Sequence, residues 1–90
     1  VAGPLALDVS ISKECAQTKK LTSAVAGDAD CLVFPNIESG NVFYKSMTKF
    51  GGGNVGAMVM GAKVPCVLTS RGDSSKSKMY SIALAALAAK

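Results

Sequence analysis

Histidine and tryptophan are both absent from this 90-residue chain, and cysteine occurs only three times, at Cys15, Cys31 and Cys66. An odd cysteine count with no C-x-x-C pair and no histidine supports neither a disulfide framework nor a zinc site, so no metal is expected. Cys31 and Cys66 lie in apolar runs and read as small buried hydrophobes, which fits a reducing cytoplasm. Long hydrophobic runs are missing too. The apolar tail Ile82 to Ala89 is far shorter than the ~20 residues a membrane span requires, and no signal-peptide pattern opens the chain, so no membrane is expected as a partner. A concentrated positive charge is also lacking. The net charge is +4, but the nine lysines are scattered, with no run and no aromatic interleaving. That weakly favours anionic ligands and argues against a nucleic-acid partner.

What is present is a 49% hydrophobic composition tilted toward small residues, enough for one small and marginal domain. Val1 is not an initiator methionine, and the run Gly3 to Asp8 reads like the middle of a domain, so the chain is expected to be a fragment. Strand and helix alternate along it. Leu5 to Leu7 reads as a short strand. Ser12 is placed to cap a helix to about Lys19, with Glu14 in its first turn. After a turn at Gly27 to Asp30, the apolar run Cys31 to Phe34 reads as a central strand ended by Pro35. Ser39 or Asn41 opens a second helix with Phe43, Met47 and Phe50 at helical spacing, and Gly51-Gly52-Gly53 stops it. Val55 to Met60 and Val64 to Leu68 read as further strands, the first weakened by Gly56. A last helix runs from Ser75 to Lys90, its stripe of Met79, Ile82, Ala83, Ala86 and Leu87 backed by more alanine, so it is expected to pack on more than one side. This alternation predicts an α/β fold with a mostly parallel sheet.

The stretch Thr69-Ser70-Arg71-Gly72-Asp73-Ser74 lies where a strand is expected to end and a helix to begin. Ligands of open α/β sheets bind at such strand ends, and helix N-termini suit phosphate. Arg71 adds a fork-shaped donor for the same kind of anion. The stretch therefore reads as an anion-handling site. Asn36, Gly40 and Asn41 suit either a turn and helix cap or a cleft lining. Lys45 reads as a solvated surface residue, and Met47 and Phe50 as core. The tripeptide Arg71-Gly72-Asp73 matches a cell-adhesion motif, read here as coincidence.

The ordered series Val25-Ala26-Gly27-Asp28-Ala29-Asp30, Phe34-Pro35-Asn36-Ile37-Glu38-Ser39-Gly40-Asn41, Tyr44-Lys45 and Thr69-Ser70-Arg71 resembles the C-terminal part of the phosphate acetyltransferase and phosphate butyryltransferase family. Gly3 to Asp8 and the Ser-Arg-x-Asp-Ser form of the last motif resemble the butyryltransferase branch. The resemblance implies an acyltransferase that interconverts acyl-CoA and inorganic phosphate with acyl phosphate and CoA, with no cofactor beyond the coenzyme A thioester as substrate. It implies an isopropylmalate dehydrogenase-like three-layer α/β/α fold with the active site in an interdomain cleft. Residues 1–60 would belong to the inserted second domain, and residues 61–90 would return to the first. It implies a homodimer or higher homo-oligomer. By motif, Ser70 would hydrogen-bond the acyl carbonyl oxygen, and Arg71 would bind phosphate or the phosphorylated end of a substrate, with Asn36, Gly40 and Asn41 lining the cleft. The acetyl branch carries its thiol base seven residues after the serine. Ser77 stands there and cannot serve, which leaves Asp73 as either a substitute base or the cap of the last helix. Two other classes remain open: an acyl carrier protein:phosphate acyltransferase, and a non-catalytic acyl-CoA-sensing or oligomerisation domain such as those appended to some malic enzymes.

Overall fold

A computed structural model describes residues 1–89. Among these residues four helices follow one another: α1 (Leu7–Ile11), α2 (Lys13–Thr18), α3 (Ile37–Lys49) and α4 (Ser75–Ala88). The chain divides into two compact units, Val1–Pro35 and the residues from Asn36 onward.

In the first unit the strand expected at Leu5 to Leu7 does not form, and α1 begins at Leu7. Three apolar residues carry no usable periodicity, and Asp8 in the first turn complements the positive end of a helix. Ser12 joins the two helices and caps α2 as expected, its Oγ accepting from the Cys15 N–H at 3.2 Å. Val9, 1% exposed, and Ala16 are the buried apolar side chains of this unit. The following loop runs back along α1: the Gly27 N–H donates to the Val9 carbonyl at 2.7 Å, and the Ala29 N–H to that of Ser10 at 3.2 Å. Gly27 is needed twice over at this crossing. Its φ is +75°, and a Cβ there would lie 2.6 Å from the Lys13 backbone.

The second unit is built around α3 and α4. Asn36, not Ser39 or Asn41, caps α3: its Oδ1 accepts from the Ser39 N–H at 2.9 Å, while the Ser39 hydroxyl donates back to the Asn36 carbonyl at 3.1 Å. An Asn carboxamide in an extended backbone offers both the geometry and the acceptor that a first helical turn lacks. The glycines end α3 as expected, with the Gly53 N–H donating to the Met47 carbonyl at 2.9 Å.

Ser74 caps α4, accepting from the Ser77 N–H at 3.1 Å, so Asp73 is not the cap. The face of α4 that packs is its serine face, with Ser77 and Ser81 buried. The Ala57 N–H donates to Ser81 Oγ at 3.0 Å, and that hydroxyl donates to the Ser77 carbonyl at 3.0 Å. Gly56 lets the chain approach so closely that a Cβ there would sit 3.3 Å from Tyr80 Cβ. Small residues win this face because backbone contacts it. The expected packing of α4 on more than one side is not found, and Met79, Ile82 and Leu87 are exposed.

The expected strands form no ladder among the described residues, apart from one isolated antiparallel bridge between Val59 and Cys66. A strand is defined by its neighbour, and beyond that bridge the apolar runs form no ladder among the described residues: Val33 is 91% exposed and Leu68 85%. For the same reason Cys31 is exposed, not buried, and Cys66 is half-buried. Phe50 and Met47, expected as core, are exposed as well. No helix among the described residues is long and apolar enough to cross a membrane.

Candidate functional site

The Ser70 loop and the middle of α3 meet within the second unit. Residues 70–73 make a tight turn, closed by the Asp73 N–H donating to the Ser70 carbonyl at 3.1 Å. Asp73 closes it a second time, since its Oδ2 accepts from the Ser70 N–H at 2.9 Å. The other carboxylate oxygen, Oδ1, accepts from the Tyr44 hydroxyl of α3. That hydrogen bond is the main cause that holds the Asp73 carboxyl below the ordinary carboxylate range. The Ser70 N–H and the charges of Lys45 and Lys78 act in the same direction against partial desolvation. The same bond raises the Tyr44 phenol above its ordinary value, with desolvation adding to it.

Ser70 is fixed at its hydroxyl too. Its Oγ accepts from Lys45 Nζ at 3.3 Å and from the Gly72 N–H at 3.3 Å. Both bonds use the oxygen as acceptor, which leaves the hydroxyl hydrogen to donate outward. Lys45 Nζ also lies 4.5 Å from the centroid of the Tyr44 ring. The ammonium is therefore held by two partners, and the residue is half-buried. The solvated-surface reading of Lys45 fails because α3 turns this residue toward the Ser70 loop.

Two open cavities flank this contact. One, of about 360 Å³, is lined by Ile37, Gly40, Asn41, Tyr44, Lys45 and Ser70. The other, of about 220 Å³, lies between α3 and the start of α4, with Lys49, Asn54 and Asp73 among its walls. Ser70, Gly40 and Asn41 are thus brought to one surface, with Gly40 and Asn41 one turn ahead of Tyr44 and Lys45 on α3. Asn36 stands apart from the cavity linings, its side-chain oxygen spent on the α3 cap. Arg71 is exposed at the tip of the turn and makes no hydrogen bond or ion pair among the described residues. Tyr44 and Lys45 are the site-lining residues that the sequence reading left without a role. The signal available was their place in the ordered motif series, one turn after Gly40-Asn41.

The family described as "Phosphate acetyl/butaryl transferase" matches residues 1–86. The chain belongs to this family. It is 53% identical over 89 residues to the phosphate butyryltransferase of Clostridium acetobutylicum, covering 99% of this chain and 30% of that protein. The phosphate acetyltransferase of Thermotoga maritima is 47% identical over 87 residues, covering 97% of this chain and 30% of the relative. Among solved structures, a branched-chain phosphotransacylase from Enterococcus faecalis V583 superposes with a TM-score of 0.82 at 49% identity, over 93% of this chain and 32% of that one. This chain of the phosphate acetyl/butyryl transferase family therefore spans about 30% of the length of the curated relatives it matches.

Proposed function

We propose that this chain forms one wall of the reaction site of a phosphate acyltransferase, which interconverts an acyl-CoA and inorganic phosphate with an acyl phosphate and CoA. The observation that carries this reading is the Ser70 hydroxyl, oriented by Lys45 and Gly72 beside a cavity that Gly40 and Asn41 also line. Both directions of the reaction pass through a tetrahedral carbon bearing an oxyanion. A hydroxyl whose oxygen already accepts two hydrogen bonds presents its hydrogen to that developing charge. The Lys45 ammonium behind it adds positive field at the same point. Arg71, at the open tip of the turn, has its guanidinium uncommitted and suits the phosphate by bidentate hydrogen bonds. Asp73 is a weak proton acceptor in this arrangement, because both its oxygens are engaged and its proton affinity is lowered. In this reading Asp73 serves to hold the loop.

The wider fold proposed with this function is the isopropylmalate dehydrogenase-like three-layer α/β/α arrangement, in which the apolar runs 31–34 and 64–68 become paired strands. The exposure of Val33, Val64 and Leu68 supports it.

The test joins this chain to the remainder of the clostridial relative, in place of the segment it matches, and follows CoA release from butyryl-CoA with phosphate. Turnover is expected, and Ser70→Ala is expected to lower kcat by roughly a hundredfold, as loss of one oxyanion donor does. A folded chimera with unchanged kcat after Ser70→Ala would remove Ser70 from the chemistry.

A further inference from the structure

We infer that Tyr44 is a positioning residue for Ser70, acting through Asp73; the inference rests on the function proposed above only for its effect on turnover. Three observations carry it. The Tyr44 hydroxyl donates to Asp73 Oδ1, and the other oxygen of that carboxylate accepts from the Ser70 N–H at 2.9 Å. Within the turn 70–73, this carboxylate is the partner of the Ser70 N–H, while the Asp73 N–H bonds the Ser70 carbonyl and the Gly72 N–H the Ser70 hydroxyl. The residue next to Tyr44, Lys45, donates to Ser70 Oγ at 3.3 Å. Two successive residues of α3 thus grip the two ends of Ser70, Lys45 at the hydroxyl directly and Tyr44 at the backbone through Asp73.

The physical consequence follows from the freedom of an unanchored carboxylate. Asp73 has two side-chain torsions, and a single hydrogen bond to Ser70 leaves rotation about them open. The Tyr44 bond fixes the second oxygen, which fixes the first, and so holds the Ser70 backbone from which the hydroxyl is presented. Tyr44 reaches no further than Asp73 with its hydroxyl, so it acts on Ser70 and not on substrate. The ring itself stays as a cavity wall whether or not the hydroxyl is present.

Tyr44→Phe isolates this role, because it keeps the ring and the Lys45 contact while deleting the donor. In the 90-residue chain, amide hydrogen exchange at Ser70 is expected to speed up several-fold in Tyr44→Phe and in Asp73→Asn, and no further in the double variant. Unchanged Ser70 protection in both single variants, or additive effects in the double, would overturn the route through Asp73. Should Tyr44→Phe fail to fold, Asp73→Asn alone decides whether the carboxylate controls the Ser70 amide. In the chimera described above, Tyr44→Phe is expected to lower kcat roughly tenfold with KM for phosphate unchanged, the signature of a contact that matters in the transition state. A Tyr44→Phe chimera that turns over as fast as its parent would sink the positioning role. A parent chimera without turnover would sink the acyltransferase reading instead, and the exchange result would still decide the link from Tyr44 to Ser70.

Discussion

At the scale of single residues, the chain separates charges that are held from charges that are free. Asp8 and Lys19 form the ion pair of the first unit, at 2.7 Å, with both side chains about half exposed. The Lys19 hydrogen bond, and after it the Val9 N–H, holds the Asp8 carboxyl below its ordinary value of 3.8. Because the folded value is the lower one, the pair contributes to stability above the ordinary value and loses that contribution as pH falls through the folded value. Solvent screening keeps the contribution small. Lys19→Ala is expected to return the Asp8 midpoint toward 3.8 in a carboxyl-carbon titration by nuclear magnetic resonance. An unmoved midpoint would assign the shift to the Val9 N–H. Arg71 is the opposite case, an exposed guanidinium with no partner among the described residues. Arg71→Lys keeps the charge and loses the planar fork, so in the chimera we expect about a tenfold fall in kcat/KM for phosphate. Steady-state values equal to the parent would place Arg71 outside the site.

At the scale of elements, capping decides where both long helices begin, and each cap lies within about one turn of a residue of the candidate site. Asn36 starts α3 four residues before Gly40, and Ser74 starts α4 directly after Asp73. Asn36→Ala and Ser74→Ala are each expected to cost about 1 kcal/mol, read from the denaturation midpoint. Asp73→Asn should leave the helicity of α4 unchanged, because the Ser74 hydroxyl and not the carboxylate accepts from the first turn. A loss of α4 helicity in Asp73→Asn comparable to that in Ser74→Ala would return the cap to Asp73. The starts of α2 and α4 were within reach of the sequence, because a hydroxyl before a helical pattern has one dominant use. The start of α3, expected at Ser39 or Asn41, lies earlier, at the Asn36 cap. Asn36, Ser39 and Asn41 all suit a cap, and only backbone geometry chose among them.

At the scale of the whole molecule, the two units bury few apolar side chains, and Val9 and Ala16 are the buried ones among the described residues. Large apolar residues such as Val33, Phe50, Leu68 and Leu87 stand exposed. A chain that spans about 30% of its relatives, with one arginine and with open cavities, presents only part of the surface that the proposed reaction between an acyl-CoA and inorganic phosphate would require. The 90-residue chain by itself is therefore expected to release no CoA from butyryl-CoA and phosphate above background. Turnover comparable to that of an intact relative would show that Ser70, Arg71 and their neighbours suffice alone.

Residue order was enough to establish the family, through an ordered series of short motifs, and to set the helix starts at Lys13 and Ser75 and the glycine stop after α3. These are local matters: a cap, a stop or a motif depends on residues within a turn of one another. Residue order also pointed to Ser70, Arg71 and Asp73 as a group, because they are adjacent in the chain. What each of them faces came from folding. Tyr44 and Asp73 are far apart in sequence, as are Lys45 and Ser70, and no periodicity encodes such pairings. Folding also determined that the apolar runs carry no ladder here, since a strand, unlike a helix, satisfies its backbone only through another segment. Local chemistry wrote the helix ends, and long-range contact wrote the site.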